Sequence, residues 1–260
     1  NAPSPQLRTK LRKLGAHPTA VPFARRGLNP LGDFVTFIKL LKVLWHERPD
    51  IVLSYTIKPV IWGGLACLLL GINHVSLITG IGTSLHSKAG IKHYLVRFIV
   101  LFLYKLSLIR AKSVVFQNHD NLDLFLKKKL VHSHQTIMIN GSGVNTSVFA
   151  YSVPSIEKYK FLCVARLLKE KGIYEFIKAA EQVKLKYPDT EFQLLGGEEE
   201  LGDSVPLSLI KRMHGQKIIT YYGEVEDVRP YLAQSSVFIL PSYHEGLPRS
   251  TLEAMSSGRA

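Results

Sequence analysis

Cysteine is scarce in this chain of 260 residues: Cys67 and Cys163 stand far apart and form no CxxC pair. That spacing excludes a disulfide framework and a thiolate zinc site, and it suits a reducing cytosol. Acidic residues are also few, 20 Asp+Glu against 33 Lys+Arg, for a net charge of +13. So basic a chain is expected to meet something anionic, whether nucleic acid, lipid headgroups or a phosphorylated ligand, and charge alone does not choose among them. Long hydrophobic runs are missing too. No Asp, Glu, Lys or Arg occurs between Lys58 and Lys88, yet the longest apolar piece there, Val60 to Leu70, contains Gly63 and Gly64. It is shorter than the roughly 18 residues a membrane-spanning helix needs. Tyr94 to Ile109 carries Arg97 and Lys105 and is not expected to span either. No repeat of fixed period, DxD motif, zinc finger, RRM or helix-turn-helix signature is present, and the basic residues are dispersed, so nucleic acid is not the expected partner. His132 and His134 lie on a Lys-rich segment and read as solvated rather than as metal ligands.

What the chain has is an alternation of apolar runs and amphipathic stretches, with 46% hydrophobic residues, which excludes disorder. Asp33 is a candidate cap for a helix through residues 34–47, with Phe34, Phe37, Ile38, Leu41 and Trp45 on one face. Strands are expected at 50–55, 74–80, 112–118 and 136–139, with helices at 60–70, 91–109 and near 119–130 between them. The Gly-, Ser- and Pro-rich segment between Gly141 and Tyr159 is the expected domain boundary, giving domains 1–148 and 149–260. Alternation then restarts, with strands at 160–166, 190–196, 218–223 and 237–242 and helices at 172–187, 206–213 and near 227–234. Strands that are nearly continuous apolar runs belong to parallel sheets covered on both faces. The fold class is therefore α/β, two doubly wound units in tandem, with ligands expected in the cleft between them at the carboxyl ends of the strands.

Two segments carry chemistry. Residues 241–258, PSYHEGLPRSTLEAMSSG, follow a buried strand and enter a helix that Pro248 can start, with Glu245 in the loop and Glu253 about two turns in. Gly246 and Leu247 would present backbone N–H groups at that helix start, a ready site for a phosphate. Residues 164–172, VARLLKEKG, place Arg166 at the end of a strand and Lys171 before a helix, where both cations could converge on one diphosphate. Spacing alone leaves open an ordinary strand-loop-helix with solvated glutamates and two surface cations.

Taken together, these segments resemble the retaining glycosyltransferases of family 4, which have the GT-B fold of two facing Rossmann-like domains. The ExxxxxxxE pattern is Glu245 and Glu253, and further matches are SYTIKP (54–59), LITGIG (77–82), VVFQN (114–118), NGSGVN (140–145) and YYGEVEDVRPYLA (221–233). Within that family the chain looks most like bacterial enzymes that extend lipid-linked oligosaccharides by one sugar. The resemblance implies that Arg166 and Lys171 bind the diphosphate of a UDP-linked donor, that Glu245 holds the transferred sugar, and that Glu253 binds the ribose hydroxyls. Gly246 and Leu247 would add backbone contacts, and the loop Gly223, Glu224, Val225 matches where the family holds the base. Gly80 and Gly82 fall in a cleft-facing loop, where Thr79-Gly80 replaces a His that many relatives carry. The resemblance further implies a retaining transfer without metal or other cofactor, in which the donor phosphate helps to deprotonate the acceptor hydroxyl. The acceptor would be a lipid-diphosphate-linked saccharide. Attachment to the cytoplasmic face of an anionic membrane is expected through residues 91–109 and the cations Lys88, Lys92, Arg97, Lys105, Arg110 and Lys112. The family's first strand and its last strands and helix would fall outside these 260 residues. Competing expectations are a UDP-sugar epimerase of the same fold and a nucleotide-binding remnant without activity.

Overall fold

The structure, a computed structural model, describes residues 4–23, 29–80, 91–154, 158–199 and 203–259. It divides into two compact units, residues 1–141 and 142–260. Residues 142–149 group with the second unit because Phe149 packs in that unit's core and its carbonyl accepts from Ser256 Oγ at 2.6 Å.

The first unit holds helices α1 (Pro5–Lys13), α2 (Pro30–Glu47), α3 (Ile57–Leu70), α4 (Ile91–Leu108) and α5 (His119–Lys127). Its parallel sheet has strands β1 (Ile51–Tyr55), β2 (Asn73–Ile78), β3 (Ala111–Phe116) and β4 (Thr136–Met138), in the order β1-β2-β3-β4. Helix α3 is apolar nearly all round, so it is buried against both strand and helix neighbours. Its glycines permit that approach: a Cβ on Gly63 would meet Ser54 Oγ, and one on Gly64 would run into the His74 ring and the Ser107 carbonyl. His74 is 2% exposed, and burial pushes its imidazole down to about 4 despite a hydrogen bond to the Ser107 backbone.

Helix α2 corrects two expectations. Its cap is Asn29, whose side chain accepts from the Gly32 N–H at 3.0 Å, with Pro30 at the first helical position; Asp33 lies inside the first turn. There Asp33 is buried and accepts from Lys58 Nζ at 2.7 Å. That ion pair helps to set the rotation of the helix, so the inward stripe is Asp33, Thr36, Phe37 and Leu40, and Phe34 and Trp45 face outward. Phe37 packs on Trp62 of α3 with ring centroids 5.8 Å apart.

The second unit has strands β5 (Lys160–Val164), β6 (Glu191–Leu195), β7 (Thr220–Gly223) and β8 (Val237–Phe238), all parallel, in the order β7-β6-β5-β8. Its helices are α6 (Ile173–Lys186), α7 (Leu207–Gly215), α8 (Arg229–Gln234) and α9 (Arg249–Ser256). Alternate residues of its strands feed opposite cores. Cys163 and Leu194 join Ile173, Phe176 and Ile210, while Leu162 and Leu195 join Leu232 and Ala254. Burial on both faces explains why these strands read as unbroken apolar runs. Strand β8 is shorter than expected, since after Ile239 the chain leaves the ladder and enters the loop to α9. Cys67 and Cys163 are buried thiols in different units, and burial pushes them up to about 11 and about 12.

Candidate active site

From β5 the chain runs to β6 and β7 on one side, then returns to place β8 on the other, so the strand order reverses between β5 and β8. In open α/β sheets ligands bind outside the carboxyl ends of the strands at such a switch point. Here the loops are 165–172 after β5 and 239–248 after β8. They are laced together. The Tyr243 N–H donates to the Glu170 carbonyl at 3.0 Å, and Tyr243 Oη donates to Glu175 Oε1 of α6 at 2.5 Å. That contact holds the Glu175 carboxyl below its ordinary value and pushes the Tyr243 phenol up. Gly172 sits in the left-handed region at φ +71°, and a Cβ there would run into the Pro241 carbonyl. Only glycine fits both the dihedral and the gap.

This lacing brings Lys171 and Glu245 together from 74 positions apart: Lys171 Nζ donates to Glu245 Oε1 at 2.6 Å, with both side chains mostly buried. Lys171 ends a short 3₁₀ turn, Lys169–Lys171, which aims it toward the neighbouring loop. Arg166, one turn earlier, is directed to the β6–α7 loop instead, where Nη1 donates to Glu199 Oε1 at 2.6 Å. Glu253 is 13% exposed in its side chain and accepts from Arg249 Nε at 2.9 Å across one turn of α9.

The structure revises how α9 begins. Pro248 is its cap and Arg249 its first residue, so Glu253 lies little more than one turn in, and Gly246 and Leu247 precede the helix rather than form its first turn. The N-terminal amides of α9 are those of Arg249, Ser250 and Thr251, and an uncapped first turn is attractive to an anion. Gly223 ends β7 at φ +76°, and its carbonyl accepts from the Gly196 N–H at 2.8 Å, which sets the β7–α8 loop beside the β6–α7 loop. Glu224 is exposed, whereas the Val225 side chain packs into the core with Leu162 and Leu195, leaving its backbone for any ligand contact. Gly82 lies outside the described residues. Gly80 is half-buried in the first unit.

Known proteins resemble both the sequence and the fold. The family described as "Glycosyl transferases group 1" matches residues 158–260. The N,N'-diacetylbacillosaminyl-diphospho-undecaprenol alpha-1,3-N-acetylgalactosaminyltransferase of Campylobacter jejuni is 32% identical over 99% of this chain and 70% of its own length. The chain belongs to the group 1 glycosyl transferases. A second relative in the family, the Escherichia coli UDP-Gal:alpha-D-GlcNAc-diphosphoundecaprenol alpha-1,3-galactosyltransferase, is 27% identical over 92% of this chain. The chain spans 70% and 63% of the lengths of these two relatives. Among solved structures, Anabaena HepE in complex with UDP-glucose superposes with a TM-score of 0.71 at 16% identity, over 98% of this chain and 68% of that one. Sucrose-phosphate synthase from Thermosynechococcus elongatus gives 0.69 at 19% identity, over 91% and 62%. These likenesses establish the fold of this group 1 glycosyl transferase as the α/β GT-B class, with two parallel four-stranded sheets.

Sequence reasoning missed three residues that this family member's site loops engage: Glu199, which meets Arg166, and Tyr243 with Glu175, which tie the 239–248 loop to α6. Glu199 stands in the run Glu198-Glu199-Glu200, conspicuous in so basic a chain, but nothing in the spacing ties it to Arg166, 33 positions earlier. Tyr243 and Glu175 are likewise joined only by the fold.

Proposed function

We propose that the protein transfers one sugar from a UDP-linked donor to a lipid-diphosphate-linked saccharide, with retention of configuration, through a site in the second unit. The observation that carries this reading is the Lys171–Glu245 pair at the β5/β8 switch point, flanked by Arg166 and the start of α9. The names of the Campylobacter and Escherichia relatives support the acceptor class, since each acts on a diphospho-undecaprenol-linked sugar.

Departure of a nucleoside diphosphate builds negative charge on its terminal phosphate. Arg166 supplies a planar fork, Lys171 a compact charge and α9 its first-turn amides, so fixed positive groups meet that charge as it develops. Such stabilisation makes a metal ion unnecessary, and transfer is expected to persist in chelator. Glu245 accepts from hydroxyls of the transferred sugar, steadied by Lys171, and Glu253 accepts from the ribose. The donor phosphate takes the proton of the incoming acceptor hydroxyl, and the new bond forms on the face that the diphosphate leaves.

The membrane brings the acceptor to the site. Among the described residues no helix is long and apolar enough to cross a membrane. Helix α4, however, turns Tyr94, Leu95, Phe98, Ile99 and Phe102 to the outside, with Arg97 and Lys105 on the helix and Arg110 and Lys112 just beyond it. An outward apolar stripe beside these cations suits the headgroup boundary of an anionic, cytoplasm-facing leaflet, each cation adding about 1 kcal/mol near the surface.

The test is transfer by the complete protein from a panel of UDP- and GDP-sugars to a polyprenyl-diphosphate-linked saccharide, read as a mass gain, with the anomeric configuration read by NMR. Glu245→Ala and Glu253→Ala are each expected to lower transfer at least about tenfold, equivalent to one lost hydrogen bond to a charged group. Wild-type rates in both variants would remove the site assignment. Flotation with anionic liposomes at low salt tests the membrane reading, which falls if the protein stays in the soluble fraction.

A further inference from the structure

In a chain with net charge +13, the sequence runs through three consecutive acids at 198–200, and the first two, Glu198 and Glu199, lie on the loop that leaves the carboxyl end of β6. That loop is fastened down. The Leu167 N–H donates to the Gly197 carbonyl at 3.1 Å, the Lys169 N–H to the Asp203 carbonyl at 3.0 Å, and the Val205 N–H to the Leu167 carbonyl at 2.8 Å. Ser204 Oγ donates to the carbonyl of Glu199 itself. The β6–α7 loop is thus held against the loop that carries Arg166, and the Glu199 carboxylate meets the guanidinium at 2.6 Å.

A carboxylate and a phosphate make the same kind of demand on an arginine fork, which presents planar N–H donors to two oxygens. A guanidinium already engaged by one anion must release it before it can take the other in full. The pair is also half in solvent, with 46% of the Arg166 side chain and 30% of the Glu199 side chain exposed. An ion pair so placed is weak and exchanges readily. Glu199 is therefore positioned as a displaceable occupant of Arg166 rather than a structural anchor.

We propose that Glu199 sets the affinity for the donor by competing with its diphosphate for Arg166, lowering affinity for the nucleoside diphosphate and easing its release after transfer. This rests on the reading of Arg166 as a phosphate ligand. Competition and repulsion act on charge, so they touch the diphosphate and leave the uncharged nucleoside unaffected. Competition acts through Arg166 and vanishes when Arg166 is absent, whereas direct repulsion would persist without it.

The experiment is calorimetric titration of UDP and of uridine into the complete protein as wild type, Glu199→Gln, Arg166→Ala and the double variant, at low and at high salt. Arg166→Ala is expected to weaken UDP about tenfold or more and to leave uridine unchanged. Glu199→Gln is expected to tighten UDP about threefold to tenfold at low salt, less at high salt, again without effect on uridine. In the Arg166→Ala background the same change is expected to do nothing. If Arg166→Ala leaves UDP binding intact, the phosphate reading of the site is what fails. If Arg166→Ala weakens UDP but Glu199→Gln does not tighten it, the site stands and the competition is wrong. Equal tightening with and without Arg166 overturns the proposal too, because Glu199 would then act by general repulsion and not by occupying the arginine.

Discussion

Replacing Gly172 by alanine perturbs the site without touching any of its charged groups. The residue adopts φ 71°, ψ 27° between the 3₁₀ turn that ends in Lys171 and helix α6. An alanine in that region costs about 1 kcal/mol or more, because its Cβ crowds the backbone. A second contribution comes from the Pro241 carbonyl, which stands where the new Cβ would go. It is backbone, so no rotamer change relieves the clash and the 239–248 loop must shift, at an overpacking cost of about 1–3 kcal/mol. That loop carries Glu245, whose 2.6 Å contact is with Lys171, the residue next to the substitution. The expected total is about 2–4 kcal/mol of lost stability in urea unfolding, with weaker UDP binding measured under folded conditions. Gly71 is the control. It has nearly the same dihedrals, φ 69°, ψ 23°, at the end of α3, but nothing lies within 4 Å of where its Cβ would be. Gly71→Ala is expected to show the dihedral cost alone. If Gly172→Ala costs no more than Gly71→Ala and binds UDP as the wild type does, the close approach of the two loops is not what assembles the site.

Two further outcomes follow from buried polar groups. Arg259 is 2% exposed, and its guanidinium donates to the carbonyls of Leu232, Ser152, Ser257 and Ala233 and to Ser152 Oγ. Arg259→Ala leaves those carbonyls without their donor and is expected to cost about 3–5 kcal/mol in chemical denaturation, a loss under 1 kcal/mol being the refuting result. His74 is held neutral down to about pH 4, whereas in the unfolded chain it takes a proton near 6.5. The unfolded state therefore binds more protons across that window, and stability present above it is lost as pH falls, by roughly 3 kcal/mol between the two values. In His74→Gln that part of the loss between pH 7 and 4 is expected to disappear, and an unchanged slope would show that the imidazole is not its source.

Element type and order were legible in the sequence because they depend on local patterning. The strand around Phe192 and Leu194 reads as a buried parallel strand because each of its faces meets apolar side chains, and α3 reads as a buried helix because it has no polar face. The glutamate pair and the Arg166/Lys171 loop were legible too, since each lies within one short motif. Boundaries and partners were not. Asp33 reads as a cap by residue type, but Asn29 and Pro30 form a better helix start upstream, and Lys58 draws Asp33 inward from 25 positions away. Pro248 suits a first helical position equally well, yet it caps, which moves Gly246 and Leu247 out of the helix. The pairings Lys171–Glu245 and Arg166–Glu199 were decided only by tertiary structure. They depend on the strand order β7-β6-β5-β8, which sets the loop after β5 beside the loop after β8 on one side and the loop after β6 on the other. Periodicity encodes which face of a strand is buried but carries no information about which strand lies next to it, so a contact made between loops of neighbouring strands appears only once the sheet is assembled.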